Sequence, residues 1–197
     1  MALTILLSNI LVQFMFGSWL TYGAFTYPFA FLVNDITNRL YGPSAAQKVI
    51  FSGFIIGLAC SFIGSQIISE LGPLVTIRIA LGSGIAFLSA QLLDVSIFNQ
   101  LRSLRWWCAP LLSSLLGSTV DTLIFFSIAF SDQLTFIEAG NNVSWANENL
   151  PLIGIGPPVP LWVSLALADL CIKIALTIAA LIPFKIIIEK APLVWKG

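Results

Sequence analysis

Four of the nine acidic residues in this 197-residue chain lie inside long apolar stretches: Asp35, Asp94, Asp121 and Asp169. A carboxylate at membrane depth is costly unless it faces a partner or a water-filled cavity. Four such residues in one short chain predict a polar pathway or binding site inside a bundle of helices.

Two basic residues accompany these carboxylates at helical spacing. Lys173 follows Asp169 by four positions, and Arg39 follows Asp35 by four, so each pair shares one helix face. The first spacing predicts an ion pair between Asp169 and Lys173. Asp121 has no basic neighbour in its own segment, so any basic partner must come from another helix.

The composition predicts an all-α integral membrane protein that forms one domain over residues 1–197. Hydrophobic residues make up 58% of the chain and charged residues only 9%, whereas a soluble domain carries about 25% charged residues. No segment is polar enough to form a large soluble domain. The net charge is zero, which gives no attraction for nucleic acid.

Catalysis and cofactor binding are not expected from the residues present. The chain has no histidine, and Cys60, Cys108 and Cys171 lie singly in apolar stretches, so no metal-binding spacing is found. Intramembrane aspartyl catalysis needs two carboxylates on facing helices, and the spacing alone leaves Asp121 with Asp169 open. Neither residue lies in a protease motif, and we interpret the chain as a non-enzyme without metal or cofactor.

Six apolar stretches have about the 20 residues that a membrane-spanning helix needs. They cover residues 2–20, 22–41, 48–69, 75–98, 106–130 and 161–184. The first has no basic region before it and no small-residue cleavage site after it, so we interpret it as a span rather than a removable signal peptide. Residues 131–160 form the one long loop.

The distribution of basic residues predicts the orientation, because short cytoplasmic loops are enriched in Lys and Arg. These residues lie between spans two and three, between spans four and five, and after span six: Arg39, Lys48, Arg102, Arg105, Lys185, Lys190 and Lys196. Loop 131–160 contains three acidic residues and no basic one. Both termini are therefore expected in the cytoplasm and loop 131–160 outside it.

At about 1.5 Å per residue, the polar residues fall at two depths. One group lies from the membrane centre to its outer half: Arg78, Asp121, Asp169 and Lys173. The other lies nearer the cytoplasm: Asp35, Asn38, Arg39, Gln91 and Asp94. One alternative is that these side chains only hold the helices together. Gly53 and Gly57 match a GxxxG spacing, which favours close helix packing more than the alternative of a homodimer.

Several segments together resemble the queuosine precursor transporter family, also called the vitamin uptake transporter (VUT) or YhhQ-type family. These segments are TYPFAFLVNDITNRLYG at 26–42, RIA at 78–80, QLLDVSIFN at 91–99, WWCAP at 106–110, DTLIFFSIAF at 121–130 and ADLCIK at 168–173. The resemblance extends over the whole chain. It implies a six-helix protein of the bacterial inner membrane that imports 7-cyano- or 7-aminomethyl-7-deazaguanine.

The resemblance also suggests roles for the two polar groups. A guanine-like edge has two adjacent hydrogen donors, which one carboxylate accepts in a bidentate manner. We expect Asp121 to accept from that edge, and Arg78, or Lys173 positioned by Asp169, to donate to the carbonyl oxygen. Three residues nearer the cytoplasm would line an inner gate or the lower cavity: Asp35, Asn38 and Asp94. Gln91 is a further candidate substrate-binding residue.

Two kinds of importer fit this interpretation. The first is a stand-alone secondary transporter, for which proton coupling stays open because buried carboxylates can bind protons. The alternative is the substrate-binding membrane component of an energy-coupling-factor importer, which docks on separate ATPase subunits. The first span has no Ala-xxx-Ala pattern for such docking, which favours the stand-alone transporter.

Overall fold

Helices form most of the fold in the computed structural model, which describes residues 1, 4, 15–16, 20–26, 28–69, 72–73, 75–191 and 194. In chain order the helices are α1 (Gly23–Thr26), α2 (Pro28–Tyr41), α3 (Pro43–Gln66), α4 (Ile77–Leu101), α5 (Cys108–Phe130) and α6 (Leu161–Lys190). The described strands have two or three residues each and form three separate antiparallel pairs.

Four of the described helices are long and apolar enough to cross a membrane. Helices α3, α4, α5 and α6 have 24, 25, 23 and 30 residues. At about 1.5 Å per residue, even the shortest exceeds the hydrocarbon thickness of about 30 Å. The protein is therefore an all-α membrane protein, and these helices correspond to the last four predicted spans.

The first two predicted spans differ from the last four. Span 2–20 lies mostly outside the described residues, and its described part includes strand β1 (Met15–Phe16), paired with β2 (Leu20–Thr21). Span 22–41 contains α1 and α2. Pro28 begins α2, where its missing N–H needs no intrahelical partner. With 14 residues, α2 measures about 21 Å, which is shorter than the membrane.

Two helix boundaries, the start of α3 and the end of α6, differ from the predicted ones by five and six residues. Gly42 alone separates α2 from α3, and its φ of 90° is a conformation that glycine adopts without strain. Pro43 is the first residue of α3, so the Gly-Pro pair begins a helix five residues before the predicted span. Helix α6 continues through Pro183 to Lys190, although proline removes one intrahelical hydrogen bond.

The connections outside the long helices contain the remaining strands. Strands β3 (Ile68–Ser69) and β4 (Gly72–Pro73) pair between α3 and α4. Loop 131–160 contains three short 3-10 helices and the hairpin of β5 (Asn149–Pro151) with β6 (Pro158–Pro160). The predicted long loop is therefore folded. Asn147 fastens it to α5, because its amide nitrogen donates to the carbonyl of Phe130 at 2.8 Å.

Helices α2, α4 and α5 meet closely at Gly117. A Cβ atom at this position would lie 2.7 Å from Cε1 of Phe31 and 3.2 Å from the carbonyl oxygen of Ala90. Small residues allow helices in membranes to approach in this way. The contact lies one turn from the polar residues of all three helices and therefore sets the spacing between their side chains.

Candidate functional site

A buried ion-pair network joins α5 to α6. The ammonium of Lys173 lies 2.8 Å from Oδ2 of Asp121 and 2.5 Å from Oδ2 of Asp169. The Lys173 side chain is 5% exposed, and the two carboxylates are 4% and 14% exposed. The Asp169–Lys173 pair is thus present, and Asp121 has its basic partner on another helix.

Thr122 completes this network, which we call the lysine cluster (Asp121, Thr122, Asp169 and Lys173). Its hydroxyl donates to Oδ2 of Asp169 at 2.9 Å and accepts from Nζ of Lys173 at 3.1 Å. Two carboxylates thus surround one ammonium. A cluster of this kind offers both a cation and hydrogen-bond acceptors to a polar molecule that reaches it.

A second acidic site, which we call the aspartate pair (Asp35 and Asp94), joins α2, α4 and α5. The hydroxyl of Ser114 lies 3.0 Å from Oδ2 of Asp35 and 3.4 Å from Oδ1 of Asp94, so it lies between the two carboxyl groups. Asn34 donates to Oδ2 of Asp94 at 2.9 Å, and Ser113 lies 3.5 Å from Oδ1 of Asp35. Both carboxyl groups are almost fully buried.

The basic residues nearest in sequence to this pair bind elsewhere. Arg39 donates to the carbonyl of Arg102 at 3.1 Å and forms no salt bridge with Asp35. Arg102 donates to both oxygens of Asn38, and the Asn38 amide nitrogen lies 3.4 Å from the Val95 carbonyl. Burial lowers the pKa of Arg102, and the positive charge of Arg39 lowers it further. Asn38 and Arg102 thus connect the ends of α2 and α4.

Within one helical turn of the acidic residues on α2, α4 and α5 lie three buried side chains, here called the middle layer (Asn34, Gln91 and Ser118). Each comes from a different helix and is fully buried. Four of their polar atoms have no hydrogen-bond partner among the described residues: Oδ1 of Asn34, Oε1 and Nε2 of Gln91, and Oγ of Ser118. Since buried polar atoms are nearly always hydrogen-bonded, this layer has the capacity to bind a polar molecule.

Arg78 lies away from the lysine cluster. Its guanidinium is fully buried and donates to the carbonyls of Ile128 at 3.1 Å and Ser131 at 2.7 Å, at the carboxyl end of α5. Its backbone N–H donates to Glu138 at 3.1 Å. Ile128 is two turns along α5 from Asp121. The structure therefore brings Asp121, Asp169 and Lys173 together, but not Arg78 with them.

Sequence reasoning missed Ser113 and Ser114, the two serines that contact the aspartate pair. Ser114 and Ser118 are four positions apart, and Asp121 and Thr122 follow Ser118 by three and four positions. This spacing places all four residues on one face of α5. Ser113 adjoins this stripe. The polar stripe was a detectable signal, but serine is common in membrane helices and only the contacts distinguish these positions.

Comparison with known proteins gives consistent results. The chain matches the family model described as "Putative vitamin uptake transporter" over residues 21–188. It is 35% identical over 195 residues to the "Queuosine precursor transporter" of Escherichia coli strain K12, which covers 92% of this chain and 79% of that protein.

Two further relatives carry the name "Probable queuosine precursor transporter". The protein of Haemophilus influenzae is 42% identical over 121 residues, 56% of this chain and 52% of its own length. That of Bacillus subtilis strain 168 is 32% identical over 135 residues, 59% and 58% of the two chains. No solved structure matches the chain. Since the family model covers most of the chain, including all four long helices, this protein belongs to the vitamin uptake transporter family.

Proposed function

We propose that this protein imports queuosine precursors, which are 7-deazaguanine bases, across the bacterial inner membrane. Its family, its apolar helices and the three relatives named as queuosine precursor transporters support this function. The protein is a multi-pass membrane transporter. The family assignment describes transport rather than catalysis.

The structural observation that carries the proposal is the middle layer. Among the described residues, Gln91 has both a hydrogen donor and a hydrogen acceptor that are buried and without a partner. A free deazaguanine base has a ring N–H and a ring nitrogen acceptor side by side on the edge away from its carbonyl, so a carboxamide can bind both at once while the donor edge stays available to Asp121. Leaving such groups unpaired costs about 1–3 kcal/mol each, and a bound base would remove that cost.

The lysine cluster lies next to the middle layer along α5 and supplies the charged contacts of the proposed site. Asp121 accepts from the donor edge of the base, and Lys173, positioned by Asp169, donates to an acceptor of the base. Ser118 is one turn from Asp121, so its hydroxyl reaches the same region. In this proposal Asp35, Asn38 and Asp94 line the inner end of the pathway, and Arg78 fixes the far end of α5 instead of binding the base.

The finer topology is part of the proposal. We propose six spans over a single domain, residues 1–197, with both termini in the cytoplasm and loop 131–160 outside. The absence of basic residues from this loop supports this orientation. We also propose that one chain transports without a separate ATPase subunit. A homodimer is a further arrangement to be measured, although Gly53 is buried within the chain and so supports helix packing rather than a dimer face.

The site is tested by binding of 7-cyano-7-deazaguanine to purified protein with substitutions on α4. Gln91→Leu removes both hydrogen-bonding atoms and is expected to weaken binding at least about tenfold, which corresponds to about 1.4 kcal/mol. Gln100→Leu is the matched control, because Gln100 is exposed on the same helix. Asp121→Asn should weaken binding as well. Unchanged affinity in both Gln91→Leu and Asp121→Asn would contradict the site.

Transport itself is tested in vesicles that contain only this protein. Exchange of external labelled 7-cyano-7-deazaguanine for internal unlabelled base is expected without any ATPase. Exchange that requires an added ATPase subunit would instead support the energy-coupling-factor alternative. An empty-vesicle control removes passive leakage of the base.

A further inference from the structure

The aspartate pair has too few hydrogens for its acceptors. Ser113, Ser114 and one N–H of Asn34 are directed at the four carboxylate oxygens. The hydroxyl of Ser114 has one hydrogen but lies within reach of both carboxylates. Oδ1 of Asn34 is also buried beside this pair and has no donor within the described part of the chain. At least one further hydrogen is needed to satisfy the group.

No described cation balances the two carboxylates. On α2 the other charged residue is Arg39, which binds Arg102. The charged residues of the helices packed against α2 lie elsewhere: Lys48 on α3, Arg78 on α4, Asp121 on α5, and Asp169, Lys173, Lys185, Glu189 and Lys190 on α6. Among the described residues, neither Asp35 nor Asp94 forms a salt bridge. Two buried carboxylates with no cation favour holding one proton between them.

A small cavity adjoins Asp35. It has a volume of about 10 Å³ and is lined by Asp35, Ser114 and Thr177 among apolar side chains of α2, α5 and α6. This volume holds about one water molecule, and the three polar side chains supply hydrogen-bond partners. A water here can pass a proton to Asp35 while Asp94, at 0% exposure, stays sealed behind Ser114.

We propose that Asp35 and Asp94 form the proton-binding site that couples import of the base to the proton gradient. The inference rests on the proposed function and assigns the driving ion to a site separate from the lysine cluster. A hydronium ion that enters the pathway from the outer side loses a proton and becomes water, and the proton forms an O–H bond on the aspartate pair. After the base is carried inward, that bond breaks and the proton enters the cytoplasm. One proton and one base move together, and no other reactant is needed.

The experiment measures uptake of labelled 7-cyano-7-deazaguanine by vesicles of the full chain, with and without an inward proton gradient. Potassium and valinomycin hold the membrane potential at zero. One coupled proton raises the accumulation ratio about tenfold for each pH unit of gradient, because proton activity changes tenfold per unit. Asp94→Asn and Asp35→Asn are expected to reduce this gradient-dependent ratio to one, whatever their own rate of exchange. Glu189→Gln, at an exposed carboxylate, is the control and should keep the ratio.

Exchange of internal for external base separates the two hypotheses. If the wild type exchanges base but accumulates equally with and without a gradient, proton coupling is wrong and the import function stands. If the wild type does not exchange base at all, the import function itself fails. A gradient response that persists in both Asp94→Asn and Asp35→Asn would assign the proton to another site. The two variants alter different helices, so one of them can decide the matter if the other does not fold.

Discussion

The two acidic sites of this bundle both contain two carboxylates, and they differ in whether a cation lies beside them. In the lysine cluster, Lys173 lies within 2.8 Å of two carboxylates from two helices. In the aspartate pair, the two carboxylates are held by serine and asparagine alone. The first site is charged and internally paired, whereas the second is short of hydrogens. We therefore propose different functions for the two sites: the paired charges of the lysine cluster orient a polar molecule, and the aspartate pair binds a proton.

The largest loss of stability is expected when Lys173 is removed from the lysine cluster. Lys173→Met leaves Asp121 and Asp169 buried without their cation, and breaking a buried ion pair in this way costs about 3–5 kcal/mol. Thermal unfolding in detergent measures the loss. Lys185→Met is the matched control, because Lys185 and Glu189 are also four positions apart on α6 but are exposed and 3.7 Å apart. Equal unfolding temperatures for the two variants would contradict the distinction.

A smaller loss of stability is expected from a substitution at Gly117, on the part of α5 that connects the two sites. Gly117→Ala would place a Cβ atom 2.7 Å from Cε1 of Phe31, and overpacking of this kind costs about 1–3 kcal/mol. Gly84→Ala is the control on α4, since its Cβ would meet Phe54 at an ordinary 3.4 Å. Chemical unfolding compares the two. A Gly117→Ala protein as stable as Gly84→Ala would show that α2 moves aside without cost.

The smallest change in stability is expected from a substitution in the aspartate pair. Asp94→Asn keeps the size of the side chain and removes a negative charge that has no cation, so we expect a stability change within about 1 kcal/mol, in either direction. The same unfolding measurement applies. A loss as large as that of Lys173→Met would mean that an ionised Asp94 is also required for stability, and the two sites would then not differ as described.

Much of the fold could be predicted from the sequence, because span length and hydropathy are local properties. Helices α3 to α6 correspond to the predicted spans. The boundary at Pro43 was missed because a Gly-Pro pair occurs both at helix ends and, as here, at helix starts. The predicted sixth span already contained Pro183 but ended at Phe184, six residues before the end of α6 at Lys190. The six-span count and the orientation stay predictions.

The site was partly predictable. The Asp169–Lys173 pair followed from helical spacing, whereas the partnership of Asp121 with Lys173 depends on how α5 faces α6. The contacts of Arg78 also depend on how the helices face one another, because the depth of a residue along a helix does not give the direction of its side chain. Ser114 illustrates the limit best: its type is unremarkable, and only its position between two carboxyl groups makes it important.

Arg78 has a consequence for how the protein can move. It is the second residue of α4, its guanidinium donates to carbonyls at the end of α5, and its backbone N–H donates to Glu138 in loop 131–160. Together with the close approach at Gly117, these hydrogen bonds hold α4, α5 and part of the loop together. We expect α6 to move against these elements during transport, and the ion pair between Lys173 and Asp121 is then the contact that breaks, because the Asp169–Lys173 pair lies within α6. We expect Arg78 to keep α4 and α5 in the same relative position throughout the transport cycle.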